Sequence, residues 1–349
     1  MSSILLPIAA AAAIVAGYLG FRTRIPLGGM MFAMAAAAAV GLLAGEYSLG
    51  SRLILLLQIY VGFSAGCGID RNRLRAIKKV LPLLAILVPL YFIFDIVFGL
   101  VMQHVSQLDL VTSMFSLVPG GATDMGTIAA EMGADASVVG ILQIVRVLFC
   151  SIAYPQIFGR IVKKQAIPSS HTDAATAQPK ANAAQLLLAF AVAALFGAVL
   201  KQLKIPGGAI LGAMLGACAV SCICEGIIVP TVCKQGLQIM GGLYLGSLIT
   251  VSAISSISML LVPSVIQVLN MILFEIVSVW LVMKFCDIDL ATALPTCATG
   301  GLTEMLPLTD ELGGDRLTVS TVHSLRLVIV VAAFPHLVRL VLLVVKEVL

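Results

Sequence analysis

Gly120–Met125 reads Gly-Gly-Ala-Thr-Asp-Met, and Gly300–Met305, 180 positions later, reads Gly-Gly-Leu-Thr-Glu-Met. Each copy is followed by an acid, a glycine and a second acid, and then by an arginine within an apolar run, Arg146 and Arg326. The same offset relates further pairs of identical or similar residues: Pro26/Pro206, Gly28/Gly208, Gln58/Gln238, Gly62/Gly242, Gly66/Gly246, Phe94/Phe274, Asp95/Glu275 and Pro155/Pro335. A constant offset over this length indicates an internal duplication.

The composition places the duplicated chain in a membrane. Hydrophobic residues make up 60% of the 349 residues, charged residues make up 11%, and the mean hydropathy is +1.10. A soluble domain carries about 25% charged residues. We therefore predict an all-α integral membrane protein with a first membrane repeat at 1–162, a polar linker at 163–182 and a second membrane repeat at 183–349. The N-terminal apolar run has a counterpart in the second repeat, which favours a retained transmembrane helix over a cleaved signal.

About ten apolar segments have the length of roughly 20 residues that a transmembrane helix needs. They fall five to a repeat, near 3–20, 27–45, 52–69, 80–102, 136–160, 183–200, 207–224, 235–252, 257–283 and 317–343.

The segments 108–134 and 288–314 differ from these spans because the Gly-Gly pair interrupts each of them. Each side of the interruption has about 12 residues, and 12 helical residues cover roughly 18 Å, near half a bilayer. Two arrangements fit: a re-entrant hairpin, or a broken helix that crosses the membrane. If the cations at 71–79 are cytoplasmic, a hairpin returns Arg160, Lys163 and Lys164 to the cytoplasm, as the positive-inside rule requires. Charge therefore favours the hairpin in the first repeat.

Five crossings per repeat is an odd number, so the second repeat is expected to insert upside down. Inverted-topology repeats are a common transporter architecture. Lys201, Lys204 and Arg339 would then lie outside, which counts against this interpretation.

The Gly-Gly interruptions are the first candidate site. Non-helical backbone is tolerated at membrane depth only where protein or a water-filled cavity surrounds it. The half-helix that follows each interruption directs its positive N-terminal end at this place, which suits an anion or a carboxylate. The carbonyls before each interruption, around Val118 and Ala298, are expected to suit a cation. The alternative is a glycine kink that serves helix packing alone. The candidate residues are Gly120, Gly121, Thr123, Asp124, Gly300, Gly301, Thr303 and Glu304.

Charged residues inside apolar runs form the second candidate set. Asp95 and Glu275 lie within long apolar segments, as do Arg146 and Arg326. A charge at the bilayer centre costs about 2.5–3.5 kcal/mol on insertion scales. One interpretation is a pair of buried ion pairs that hold helices in register. The other is a functional site, with arginines that bind a substrate carboxylate and acids that carry a coupling H⁺ or Na⁺.

Other chemistry has weak support. The four histidines lack metal-ligand spacing, although His323 lies one turn before Arg326 and is a candidate proton relay. The chain holds no Walker-type loop, nucleophile elbow or dinucleotide fingerprint in context. We therefore expect no enzyme activity and no cofactor apart from a coupling ion. The basic run at 71–79 is typical of a cytoplasmic loop rather than of a nucleic-acid partner.

The paired Gly-Gly-x-Thr-Asp/Glu-Met motif, with a membrane arginine after it, resembles the AbrB membrane family of bacteria. Members of that family are labelled AbrB family transporters or ammonia monooxygenases. The family motif is close to Pro-Gly-Gly-x-x-Glu-Met; the first repeat keeps Pro119 but has Asp124, and the second has Thr299 but keeps Glu304. The resemblance implies similarity to cation–proton antiporters and anion transporters, which are inverted-repeat, elevator-type carriers and often homodimers. It also implies a multi-pass protein of the bacterial inner membrane.

Three functions follow from these observations. The first is a secondary transporter that moves a small anionic or zwitterionic organic solute, coupled to H⁺ or Na⁺, by alternating access as one repeat moves against the other. The second is a membrane regulatory protein that binds a partner without transport. The third is a metal-dependent membrane monooxygenase, against which the histidine pattern counts.

Overall fold

The computed structural model describes residues 2–23, 27–45, 47–69, 71–162, 183–205, 207–224, 226–249 and 260–348. All regular structure in these ranges is helical. The first repeat contains α1 (Ser2–Phe21), α2 (Gly28–Ala44), α3 (Ser51–Cys67), α4 (Arg71–Ser106), α5 (Leu110–Leu117), α6 (Ala122–Glu131) and α7 (Ala136–Ile161). The second contains α8 (Ala183–Gln202), α9 (Gly208–Ile223), α10 (Thr231–Ser247), α11 (Leu261–Phe285), α12 (Leu290–Cys297), α13 (Leu302–Leu312) and α14 (Arg316–Val348). The all-α fold predicted from the sequence is confirmed. The linker predicted at 163–182 lies outside the described residues.

The helices have the character of a membrane protein. Among the described residues, α4, α7, α8, α11 and α14 are long and apolar enough to cross a membrane, while α1, α2, α3 and α9 are apolar but shorter. Large apolar side chains point outward from these helices, including Leu187, Leu195 and Phe196 on α8. A water-soluble surface seldom carries so many exposed apolar groups. The expected number of ten crossings stays a prediction.

Helices α1, α2, α3, α8, α9 and α10 form one unit, here called the interlocked bundle. Within it α3 packs against α8 and α9, while α10 packs against α1 and α2. The third helix of each repeat therefore lies against the first two helices of the other repeat. Motion of one repeat against the other stays a prediction; in this fold it would have to separate the interlocked helices.

Glycines allow the close approach of α3 to α9. A methyl group added at Gly62 would lie 2.2 Å from the carbonyl oxygen of Ile210, and one added at Gly66 would lie 2.3 Å from that of Met214. No side chain fits between the two backbones at these points. Small residues at such a spacing are what close helix packing in membranes requires.

The second repeat makes the same contact with its own counterparts. A methyl group at Gly242 would lie 2.5 Å from the Met30 carbonyl oxygen, and one at Gly246 would lie 2.5 Å from that of Met34. Each contact thus recurs with the repeats exchanged, which is the mark of a two-fold relation.

The α10 glycines provide a matched test of this interface. Gly242→Ala is expected to destabilise the protein by about 1–3 kcal/mol, the usual cost of overpacking. Gly236 lies on the same helix with nothing within 4 Å of an added methyl group. Gly236→Ala is therefore expected to leave stability unchanged or raise it by about 0.5–1 kcal/mol. Thermal unfolding of both variants in detergent measures the difference, and equal melting temperatures would contradict the role of Gly242.

The remaining helices, α4 to α7 and α11 to α14, form the second unit, here called the hairpin bundle. In it α5 and α6 are antiparallel, because the Asp135 N–H after α6 donates to Thr112 Oγ1 in the first turn of α5 at 2.9 Å. The Asp315 N–H and Thr292 Oγ1 repeat this bond at 2.9 Å for α12 and α13. Each Gly-Gly segment therefore enters and returns on one side of the fold, which decides for the hairpin over the crossing broken helix.

The half-helices are shorter than the sequence indicated. They contain 8 and 10 residues in the first hairpin and 8 and 11 in the second. In the first hairpin Asp109 caps α5 by accepting from the Thr112 N–H, so helix formation starts only after that residue.

Candidate functional site at the two helix breaks

Residues 118–121 form the first break, between α5 and α6. Val118 ends α5 and Gly121 precedes α6, both with extended backbone. A methyl group at Gly120 would lie 2.4 Å from Met125 Cγ, and one at Gly121 would lie 2.7 Å from Asp124 Oδ2. The glycines are therefore required for space, since the first turn of α6 folds back over them.

Side chains of α7 hold the carbonyls of this break. Arg146 donates to Val118 O at 3.0 Å and also to Gly120 O. Gln143 donates to Val118 O at 2.9 Å and to Phe115 O at 2.9 Å. The last carbonyls of a helix have no partner within it and carry its negative end. The guanidinium and the amide supply that partner for α5.

The second break is held in the same way by α14. Arg326 donates to Ala298 O and to Gly300 O, both at 2.8 Å. His323 takes the place of Gln143: its Nε2 lies 2.8 Å from Pro295 O, and its Nδ1 lies 3.3 Å from an Arg326 nitrogen. A carbonyl can only accept, so Nε2 carries the proton, and Nδ1 accepts from Arg326. Both ring nitrogens of His323, the candidate proton relay, therefore have hydrogen-bond partners at the second break.

These contacts correct one prediction. The carbonyls of Val118 and Ala298 were expected to suit a bound cation, but the cation at each is an arginine side chain. The buried guanidinium groups of Arg146 and Arg326 are thus used to stabilise unwound backbone. Arginine is suited to this because its planar fork reaches two carbonyls at once.

Two tyrosines that sequence analysis did not single out reach the second break from the first repeat. Tyr91 Oη donates to Cys297 O at 3.0 Å and accepts from Arg326 at 2.8 Å. Tyr154 Oη lies 3.5 Å from Thr299 Oγ1. Their counterparts 180 positions later are the apolar residues at 271 and 334. A comparison of the two repeats position by position could have flagged both.

A third such residue, Gln267 of α11, reaches the first hairpin from the second repeat. Its Nε2 donates to Ser116 O at 2.8 Å, near the end of α5. Each hairpin is therefore held by both repeats, although the two repeats use different residues for the purpose.

The two breaks lie close together. Arg146 holds the first break, and Cys150, four residues further on α7, lies beside the second, where its Cβ is 3.3 Å from a methyl group placed at Gly300. Four residues of helix rise about 6 Å. Both breaks therefore contact α7, at residues one helical turn apart.

The membrane acids lie next to these breaks. Asp95 is 2% exposed and Glu275 is 6% exposed. Asp95 Oδ2 and both carboxyl oxygens of Glu275 lack a hydrogen bond of normal geometry within the described residues. Arg146 lies within electrostatic reach of Asp95, and Arg326 and Tyr154 are polar neighbours of Glu275. Burial of a carboxylate without hydrogen bonds is costly, so these two groups call for a proton or a cation.

The side chains of the motif residues face different parts of the fold. The Asp124 carboxylate lies over the first turn of α6, beside Gly121. Thr123 faces the interlocked bundle, with its Oγ1 3.6 Å from Met30 Sδ. Gly301 is the residue that precedes α13, as Gly121 precedes α6. The side chains of Thr303 and Glu304 lie outside the described set. Among the described side chains, no three of His, Cys, Asp and Glu are arranged to hold a metal ion.

Together these features define a helical membrane protein made of two interlocked repeats with paired broken hairpins. The chain belongs to the AbrB family, whose model is described as "Transition state regulatory protein AbrB" and matches residues 1–162, 83–231 and 217–348. The first of these matches covers the first repeat, and the last lies within the second.

Two relatives extend the comparison. The chain is 24% identical over 344 residues to "Uncharacterized protein YhjN" of Bacillus subtilis (strain 168), an alignment that covers 93% of this chain and 90% of the relative. It is 27% identical over 150 residues to "Putative regulator AbrB" of Escherichia coli (strain K12), with 42% of each chain covered.

Proposed function

We propose that this protein is a secondary transporter that moves a small organic solute across the bacterial inner membrane, coupled to H⁺ or Na⁺. The observation that carries the proposal is the pair of helix breaks, both in contact with α7, with two buried and underbonded carboxyl groups beside them. Broken helices at matching positions of two repeats are the usual place of a transporter's substrate site. Neither an enzymatic activity nor a resident cofactor is part of the proposal.

The breaks favour a solute that is anionic or zwitterionic. The free N–H groups that begin α6 and α13 attract a negative group. Asp124 brings a carboxylate to the same end of α6. A solute with both a carboxylate and an amine would satisfy both, so we place a zwitterion first and a simple anion second.

The coupling ion is proposed to bind at the membrane acids. Asp95 and Glu275 are buried and underbonded as they stand. Protonation or a bound Na⁺ removes the cost of an isolated charge at that depth. The arginines are proposed to act indirectly, by holding the breaks open as substrate sites, rather than by binding the solute.

Inverted topology is part of the proposal. The glycine contacts relate the repeats by a two-fold axis. If each repeat has five crossing helices and one returning hairpin, the second repeat starts on the opposite side. The axis then lies in the membrane plane. We further propose that the hairpin bundle moves while the interlocked bundle stays in place, which is an elevator motion by helices of both repeats. A homodimer built on the interlocked bundle would keep that frame still.

Regulation without transport is the second candidate, because the Escherichia coli relative is named as a regulator. Thermal unfolding with a panel of carboxylates, amino acids and Na⁺ at two pH values separates the two. A transporter should be stabilised by at least one solute, by about 2.7 kcal/mol at 100 times its Kd.

Asp124→Asn is expected to abolish that stabilisation and the flux of the same solute into proteoliposomes. Asp310→Asn is the control, since Asp310 is half exposed and pairs with Arg316 at the surface. If the Asp124→Asn variant transports the solute as fast as the unchanged protein, the substrate site lies elsewhere. If the unchanged protein transports none of the solutes that stabilise it, the regulatory function is favoured.

A further inference from the structure

The end of the first hairpin is fixed to the interlocked bundle by one carboxylate. Glu131 Oε1 accepts from Gln58 Nε2 at 2.9 Å, and Oε2 accepts from the Gly207 N–H at 2.8 Å. Lys201 lies 3.8 Å from Glu131 and donates to Gln58 Oε1 at 3.2 Å. These four residues, called the Glu131 contact, join α6 to α3, α8 and the turn before α9.

Apolar packing reinforces this contact on the same side. Helix α6 packs against α3 and α10. Ile128 of α6 lies 3.2 Å from a methyl group placed at Gly207. Leu245 of α10 lies 2.9 Å from one placed at Gly126 and 2.8 Å from one placed at Gly140. The first hairpin is therefore closed against the interlocked bundle.

The second hairpin lacks the equivalent contact. Within the described part of the chain, no hydrogen bond joins Glu311 to its expected partners, Gln238 and the Leu27 N–H. The principal partners of α13 are α12, α14 and α7, all in the hairpin bundle. Thr127 of α6 is buried, whereas its counterpart Pro307 is exposed.

The receiving side for Glu311 is nevertheless already formed. Leu27 has φ 53° and ψ 22°, and its counterpart Gly207 has φ 66° and ψ 9°. A left-handed conformation is unfavourable for leucine, since its Cβ meets the following carbonyl. The backbone at Leu27 thus has the shape with which Gly207 binds Glu131, even though a leucine must adopt it.

We propose that the structure shows one of two alternative states, and that in the other Glu311 binds Gln238 and the Leu27 N–H as Glu131 binds Gln58 and the Gly207 N–H. The interlocked bundle obeys the two-fold relation in its glycine contacts, whereas the contacts of the two hairpins with that bundle do not. The second state follows if the two hairpins exchange their contacts with the interlocked bundle, while that bundle itself stays unchanged. This inference rests on the proposed transport function, for which the two states are the two open sides.

The chain favours the state described. The counterpart of Lys201 is Phe21, so the Glu311 receptor lacks the cation that supports Glu131. Loss of the Glu131 carboxylate should therefore move the population toward the second state, and loss of the Glu311 carboxylate should not.

Paired cysteines in a cysteine-free protein test this directly. The native chain has eight cysteines, which are first replaced. Ile128→Cys with Gly207→Cys reports the described state, because the Ile128 side chain lies 3.2 Å from a methyl group placed at Gly207, and the Glu131 and Glu311 carboxylates stay in place. Their counterparts, Leu308→Cys with Leu27→Cys, report the second state; a short bismaleimide in native membranes joins each pair. Both pairs should cross-link, whereas Ile128→Cys with Leu27→Cys, which mixes the two ends, should not. Cross-linking of the first pair alone under every ion and pH condition overturns the proposal.

Hydrogen–deuterium exchange supplies a second test that keeps the native cysteines. Glu131→Gln should raise exchange several-fold in the peptide with Gly207 and lower it in the peptide with Leu27. Glu311→Gln should change neither by a comparable amount. Raised exchange at Gly207 with no added protection at Leu27 contradicts the second state.

The results also separate this inference from transport itself. Cross-links at both ends with no flux of any solute would support the two states and remove the transport function. Flux without the 27–308 cross-link would support transport and remove this second state.

Discussion

Arg326→Ala is expected to unfold most of the protein, the largest stability loss of any single substitution considered. Arg326 is 5% exposed and donates to Tyr91 Oη, Ala298 O and Gly300 O at 2.8 Å each. Hydrogen bonds to charged groups contribute about 1.5–3 kcal/mol each, so the loss of three is roughly 4.5–9 kcal/mol. Total stability is typically about 5–15 kcal/mol.

The yield of monodisperse protein in detergent and its melting temperature measure this loss. Arg316→Ala is the matched control, because Arg316 is 61% exposed in its surface pair with Asp310. Such pairs contribute about 0–1 kcal/mol. Arg326→Lys should fall between the two, since an ammonium group keeps the charge but not the fork. If Arg326→Ala and Arg316→Ala have the same melting temperature, Arg326 does not hold the second break.

Glu275→Gln is expected to abolish ion-driven accumulation of substrate while the fold stays as stable as before or gains stability. Both carboxyl oxygens are buried and underbonded. A neutral amide of the same shape therefore removes a cost to the fold but also removes the group that exchanges the ion. Trade-offs of this kind are usual where a functional group is poorly satisfied.

Proteoliposomes with the identified solute test this prediction in two assays. Gradient-driven uptake should fall to background, while exchange of labelled for unlabelled solute continues, because exchange needs no net movement of the ion. Asp95→Asn is the companion variant and should have a comparable effect, since Asp95 Oδ2 is also buried without a hydrogen bond among the described residues. Uptake that survives Glu275→Gln would assign coupling to another group.

The sequence predicted what the repeat itself encodes. The offset located both breaks, both arginines and both membrane acids, because a duplicated function leaves duplicated residues. The hairpin also followed from charge, since Arg160 had to return to the side of the earlier cations. In contrast, the partners of the arginines could not be predicted, because every residue has a backbone carbonyl and none stands out in the sequence. An acid such as Asp95 does stand out, so the sequence suggested ion pairs instead.

The interlocked arrangement was equally out of reach. An offset relates Gly62 to Gly242 but does not say which repeat supplies the helix that each glycine faces. Tyr91 and Tyr154 were missed for the opposite reason: they have no polar counterpart in the second repeat. An internal repeat draws attention only to positions that match, whereas Tyr91 and Tyr154 differ from their counterparts. These two tyrosines make the two breaks chemically distinct.

The exchange of third helices between the repeats has a consequence for how such a chain can arise. One repeat alone leaves the glycine face of its third helix without the carbonyls that it was shaped to meet, and it leaves the groove between its first two helices empty. In a pair of repeats, the third helix of each occupies the groove between the first two helices of the other. The smallest assembly with this frame is therefore a pair of half-length chains, and the present protein joins two such halves in one polypeptide, in which each half can carry different residues.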